Sequence, residues 1–155
     1  MTKATFGAGC FWHVEETFSK LKGITKTTVG YEGGSTNNPT YTQVCTDTTG
    51  HAEVCEIEYN PKKIKYEDIL NTFWKIHDPT QLNRQGPDVG TQYRSIIFYH
   101  SAKQKETAIN SMKKQQKKTI KKIMTKIILA EKFWKAEEYH QKYFKKNGAT
   151  CGINF

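Results

Sequence analysis

A chain of 155 residues, 36% of them hydrophobic, is long enough to bury a core as one domain spanning 1–155 without disulfide or metal staples. It has no run of about eighteen apolar residues to span a membrane and no signal-like apolar stretch at its start. A cytoplasmic monomer without membrane contact is therefore expected, its four cysteines mainly reduced. Those cysteines, at 10, 45, 55 and 151, form no C-x-x-C pair and have no His at a companion spacing, so no structural metal and no cofactor are expected. The formal charge of +9 raises the question of nucleic acid. Residues 1–100 hold ten Lys/Arg against eleven Asp/Glu, and residues 101–155 hold fourteen Lys against four Glu, so the excess lies in the last third. Most of it runs from Lys103 to Lys122, with pairs at 113/114, 117/118 and 121/122. That period of four describes one solvated helix face. It lacks the arginines and interleaved aromatics that base recognition and stacking use, so no nucleic-acid partner is expected.

In chain order, Ala4 to Ala8 reads as a short strand broken by glycines, followed at once by Gly9-Cys10-Phe11-Trp12. Phe11, Val14, Phe18 and Leu21 then recur at spacings of three and four, the apolar stripe of a helix closed by Lys20, Lys22 and Gly23. Cys10 thus stands where a strand hands over to a helix. Free N–H groups and the positive end of the helix dipole favour a thiolate there, which makes Cys10 a candidate nucleophile. The competing reading is a buried thiol acting as a small hydrophobe.

Ile24 to Tyr31 reads as a strand, turned by Glu32-Gly33-Gly34, and residues 35–51 as a long loop containing Tyr41 and Cys45. Ala52 to Tyr59 is the most informative strand. Its period of two sets Glu53 on the same face as Cys55, Ile57 and Tyr59. A carboxyl at the end of an apolar face has its charged form disfavoured, the usual preparation for a general acid; a frayed strand end would instead leave it solvated. Tyr66, Ile69, Leu70, Phe73 and His77 mark a helix stopped by Asp78-Pro79. A polar loop from Gln81 to Gln92 leads to a strand from Tyr93 to His100, and Ser101 with Gln104 forms a capping box for the lysine-rich helix. Ile123 to Leu129 reads as a strand and Phe133 to Phe144 as a helix, with Phe133, Glu137, His140 and Phe144 on one side. The tail from Asn147 to Gly152 has no regular pattern. Strands alternating with helices in this order predict an α+β sandwich, helices packed on a mixed sheet.

The chain also resembles a known family, the A-class peptide-methionine sulfoxide reductases. The resemblance rests on Gly9-Cys10-Phe11-Trp12 with Glu15 and Phe18, Gly30-Tyr31 with Gly33-Gly34, Asn38-Pro39-Thr40-Tyr41 and Gly50-His51-Ala52-Glu53. It continues through His77-Asp78-Pro79-Thr80, Asn83-Arg84-Gln85-Gly86, Asp88 with Gly90 to Ser95, and Ala136 to Gln141. These motifs are in order from residue 7 to about 152. The resemblance implies a ferredoxin-like two-layer sandwich that reduces the S epimer of methionine sulfoxide, free or in proteins. It implies that Cys10 attacks the sulfoxide sulfur and becomes a sulfenic acid, and that Glu53 donates the proton. Tyr41, Tyr93 and Asp88 would surround the oxygen, and Phe11 and Trp12 would hold the methyl group. A thioredoxin-like reductant would close the cycle by reducing a disulfide. Cys151, in a Gly-flanked tail, matches the resolving thiol; Cys45 or no partner are the alternatives, and Cys55 reads as structural. The chain ends four residues after Cys151, so no third, recycling cysteine is expected. His51, His77 and His140 read as framework hydrogen-bonders.

Two rival functions remain at this point. A thiol peroxidase also forms a cysteine sulfenic acid, but that chemistry wants a cation beside the thiolate. A basic nucleic-acid-binding domain would show its character in salt dependence.

Overall fold

The structure is a computed structural model that describes residues 1–147. β1 (Thr2–Gly7), α1 (Phe11–Ser19) and β2 (Ile24–Glu32) open the chain, and α2 (Tyr41–Cys45) precedes β3 (Ala52–Tyr59) and α3 (Tyr66–Lys75). A small hairpin, β4 (Arg84–Gln85) and β5 (Asp88–Val89), leads to β6 (Ile96–Tyr99). α4 (Ala102–Gln116), β7 (Lys126–Leu129), β8 (Trp134–Lys135) and α5 (Tyr143–Asn147) complete the described chain.

The main sheet has the strand order β7-β6-β1-β3-β2-β8. Its centre, β6-β1-β3-β2, pairs antiparallel throughout, with α1 and α3 as the two crossovers. That is the ferredoxin-like arrangement that the family resemblance implies. β7 adds parallel to β6 and β8 antiparallel to β2, so the sheet as a whole is mixed. α3 forms where the sequence predicts it because Tyr66, Ile69, Leu70, Phe73 and Trp74 all bury on one side. Glu67 and Asp68 in its first turn and Lys75 in its last complement the helix dipole. The main core lies between the sheet and the layer of α1, α3 and α4. Phe6 is its centre, 5.3 Å from the Phe18 ring and 5.2 Å from the Phe73 ring. Such aromatic pairs add about 0.5–1.5 kcal/mol each beyond their area. The reverse face carries Ala52, Val54, Ile96 and Phe98 under Ile128, Ala130 and Phe133. No described helix is long and apolar enough to cross a membrane.

Several elements depart from expectation. The loop 35–51 contains α2, started by a full capping box in which Thr40 Oγ1 accepts from Gln43 N and Gln43 Oε1 accepts from Thr40 N. Tyr93 closes a 3-10 turn, Thr91–Tyr93, so the next strand starts only at Ile96. Ser101 does cap α4, accepting from Gln104 N at 3.2 Å. The Gln104 amide does not return the bond; it accepts from His100 N and donates to Lys3 O. α4 ends at Gln116, so the lysine pairs at 117/118 and 121/122 lie beyond the helix, although all remain exposed.

The largest departure is at 133–144, which is not one helix. Trp134 and Lys135 pair with Tyr31 and Gly30 on the open edge of β2, and Glu138–His140 is a 3-10 turn. A sheet edge supplies backbone partners that outweigh modest helical propensity. Gly30 permits the approach, since a Cβ there would lie 2.4 Å from the Trp134 carbonyl oxygen.

Candidate active site

Cys10 is the N-cap residue of α1, and its carbonyl accepts from Val14 N at 3.3 Å. Gly9 before it has φ +93°, a conformation glycine adopts without strain, and a Cβ there would meet Gln85 Cγ at 2.9 Å. Gln85 is itself locked: its Oε1 accepts from Asp78 N at 2.8 Å and its Nε2 donates to Asp78 O at 2.9 Å. The nucleophile turn is thereby wedged against the hairpin that also carries Asp88.

Glu53 stands at the start of β3, opposite Tyr31, and is 1% exposed. Its Oε1 accepts from Phe11 N at 3.3 Å, and its buried Oε2 has no partner among the described residues. Burial pushes the carboxyl up to about 8; the nearby Asp88 charge adds to this, while the Phe11 N–H opposes it. A protonated acid with one uncommitted oxygen results, and the strand reading of Glu53 holds.

The preference of a helix start for a thiolate at Cys10 is opposed by the surroundings of the side chain. The thiol is pushed up to about 12, first by burial and then by the Glu53 charge. The N–H groups of Trp12 and His13 do favour the thiolate, as a helix start should, but desolvation outweighs them. Cys10 rests as a thiol.

Tyr41 is the first residue of α2 and Tyr93 the last of the 3-10 turn. Both phenols are held protonated, by burial first and then by Glu53. The Asp88 carboxyl is raised by burial, and its Oδ2 is another buried oxygen without a described partner. Cys10, Asp88 and Cys45 also act on the Tyr93 phenol. Cys10, Tyr41, Glu53, Asp88 and Tyr93 thus come from five separate segments into one cluster of groups that disfavour charge. Phe11 and Trp12 continue it as an aromatic wall. The Phe11 ring lies 5.2 Å from His140 and 6.4 Å from Tyr41. Trp12 stacks on Tyr143 at 3.8 Å and donates from Nε1 to His140 Nδ1 at 2.9 Å.

Cys55 is fully buried, its thiol raised by desolvation, which fits a structural role. Cys45 is exposed and interacts with the Tyr41 hydroxyl. Cys151 lies outside the described residues. His51 bonds Gly34 N and Thr36 O, and His77 bonds Phe73 O and Ser95 Oγ, both as framework groups. His140 is more than that, because it orients Trp12. Sequence reasoning also gave no role to Glu15, whose Oε2 accepts from Thr27 Oγ1 and whose Oε1 accepts from Lys142 N at 2.6 Å. Glu137, which accepts from Tyr31 and Tyr41, was likewise missed. The signal for both was an acid within an apolar pattern.

A cysteine at a helix start, a neutral buried acid and an aromatic wall define a thiol oxidoreductase centre on a ferredoxin-like sandwich. A model of the peptide methionine sulfoxide reductase family matches residues 2–154. The chain is 56% identical to the peptide methionine sulfoxide reductase MsrA of Acidobacterium capsulatum, over 99% of this chain and all of that one. Its fold is similar to the crystal structure of Mxr1 from Saccharomyces cerevisiae in reduced form, with a TM-score of 0.92 and 38% identity over 99% of this chain and 91% of that one. It is also similar to Mxr1 in complex with Trx2, at a TM-score of 0.66 and 27% identity over 92% of this chain and 84% of that one. The chain belongs to the peptide methionine sulfoxide reductase family, oxidoreductases that return methionine sulfoxide to methionine.

Proposed function

We propose that residues 1–155 form one catalytic domain that reduces the S epimer of methionine sulfoxide, free or in proteins, through Cys10. It acts as a cytoplasmic monomer without metal, cofactor or nucleic acid. The observation that carries this reading is the neutral Glu53 carboxyl, buried beside the Cys10 thiol with Oε2 uncommitted.

A sulfoxide sulfur is a poor target until its oxygen takes a proton. Glu53 supplies it, a contribution of roughly 10²–10⁴-fold for general acid catalysis. The carboxylate this leaves is the acceptor for the Cys10 thiol proton, so the thiolate forms only as it attacks. Tyr41 and Tyr93 donate to the oxygen as charge develops, and Asp88, its carboxyl raised by burial, lies beside them. Phe11 and Trp12 hold the S-methyl group, where sulfur–aromatic attraction is worth about 0.3–1.5 kcal/mol. The sulfoxide oxygen passes to Cys10 as a sulfenic acid and methionine leaves. The Cys151 thiol then condenses with it, forming the Cys10–Cys151 disulfide and water. A dithiol reductant returns both thiols, and the relative solved with Trx2 supports a thioredoxin-like protein in that role. The side chains that raise the Cys10 thiol are the acids Glu53 and Asp88, which is the wrong polarity for a thiol peroxidase.

The test is turnover of each pure sulfoxide epimer with thioredoxin present. The S epimer alone should be reduced, Cys10→Ser should be inert, and Cys151→Ser should give one methionine per enzyme and no cycle. Equal use of both epimers would count against the reading, and normal cycling by Cys151→Ser would transfer the resolving role to Cys45 or to no cysteine.

A further inference from the structure

Tyr41 owes its place to α2, and α2 has only five residues, Tyr41–Cys45. So short a helix has no stability of its own. Its capping box satisfies the N–H groups of Thr40 and Gln43. The N–H of Tyr41 itself is satisfied from 96 residues away, donating to Glu137 Oε2 at 2.9 Å. The other oxygen, Glu137 Oε1, accepts from Tyr31 Oη, also at 2.9 Å. Tyr31 is fully buried on β2, is the cross-strand partner of Glu53, and has its ring 5.7 Å from Phe11. Glu137 in turn precedes the 3-10 turn that carries His140, whose N–H donates to the Glu137 carbonyl at 2.9 Å. One carboxyl group therefore ties together the strand beside the acid, the helix that bears Tyr41 and the turn that orients Trp12.

We propose that Glu137 is a positioning residue for the sulfoxide step: its carboxylate clamps the first turn of α2 to Tyr31, so that the Tyr41 hydroxyl meets the sulfoxide oxygen. This rests on the reading of Tyr41 as a donor to that oxygen. Burial works against ionisation of Glu137, but the hydrogen bonds from Tyr41, from its own backbone and from Tyr31 together hold its carboxyl below the usual range. The clamp therefore persists across neutral pH. With Tyr31 Oη donating to Glu137, the uncommitted Oε2 of Glu53 stays available to substrate.

The test is a double-mutant cycle read as the first-turnover rate, methionine formed per enzyme without reductant, with thermal unfolding followed alongside. Tyr41→Phe should slow the step on the order of 10²-fold, the range for loss of one such donor. Glu137→Ala should slow it comparably with little change in KM, and should cost less than about threefold more once Tyr41 is already Phe. Glu137→Gln can accept from Tyr41 N and donate to Tyr31 Oη, so it should stay within about threefold of the parent. If Glu137→Ala does not fold, Glu137→Gln decides alone, and a loss as large as that of Tyr41→Phe overturns the clamp. Where Tyr41→Phe is slow but Glu137→Ala is silent or fully additive, the clamp is overturned and the Tyr41 reading stands. A silent Tyr41→Phe overturns both.

Discussion

At the scale of single residues, the chemistry depends on two groups whose charged forms burial opposes. Glu53, pushed up to about 8, is an acid at neutral pH, and Gln keeps its shape without a proton to give. Glu53→Gln should slow single turnover by one to several orders of magnitude, and the parent rate should fall as pH rises through about 8. A rate near that of the parent at neutral pH would mean the proton comes from elsewhere. The same shift has a consequence for stability. Because the folded value lies above the ordinary 4.5, the Glu53 contribution is fully present below about pH 4.5 and is lost as pH rises through about 8. Gln does not titrate, so calorimetry should find that the melting temperature of Glu53→Gln relative to the parent climbs between those limits. A flat or falling difference would show that the carboxyl is ionised in the folded state. Cys10 offers an independent check. Alkylation mapped to Cys10 should keep accelerating from pH 7 to 9.5 without a plateau, since its thiol lies near 12. Glu53→Gln removes the neighbouring charge and should raise the alkylation rate at the upper end of that range.

At the scale of elements, short pieces of backbone carry the donors and long ones carry the stability. Removing the Thr40 side chain deletes half of the α2 capping box, a loss of about 1 kcal/mol. Thr40→Ala should lower the melting temperature by only a few degrees, yet slow first turnover because Tyr41 loses its register. Ser111→Ala is the counterpart away from the site. Ser111 Oγ accepts from Trp74 Nε1 at 2.8 Å between α3 and α4, and its loss leaves a buried donor unpaired at about 1–3 kcal/mol. That variant should melt several degrees lower with unchanged turnover. Equal effects of the two on rate would mean that α2 has no special part in the reaction.

Over the whole molecule, charge and chemistry are kept apart. Burial disfavours charge throughout the catalytic cluster, whereas the excess of lysine lies on exposed positions of α4 and the segment after it. A neutral sulfoxide gains nothing from a distant, solvent-screened field. Replacing Lys113, Lys114, Lys117 and Lys118 with Gln should therefore leave turnover of free methionine sulfoxide unchanged, and a large loss with that small substrate would contradict the solvated-face reading. A loss confined to protein substrates or to thioredoxin would mark the face as a docking surface.

By itself the sequence determined the elements whose residues agree locally with their fate. Phe11, Val14 and Phe18 specify α1, Cys55, Ile57 and Tyr59 specify a face of β3, and the step from Gly9 to Cys10 marks the strand-to-helix turn. The same alternation buried Glu53 and so made it legible as an acid, while the motifs around Cys10, Tyr41, Asp88 and Tyr93 carried the family. Tertiary structure alone decided where local preference was weak or where distant groups compete. Residues 133–144 have a helical apolar pattern, but the open edge of β2 offered Trp134 and Lys135 better partners. The helix start does favour a Cys10 thiolate, yet burial first and the Glu53 charge second reverse the outcome, and desolvation is a quantity that no window of sequence contains. Glu137 is the extreme case: its meaning is the meeting of Tyr31 with Tyr41, and that contact exists only once three remote segments have packed.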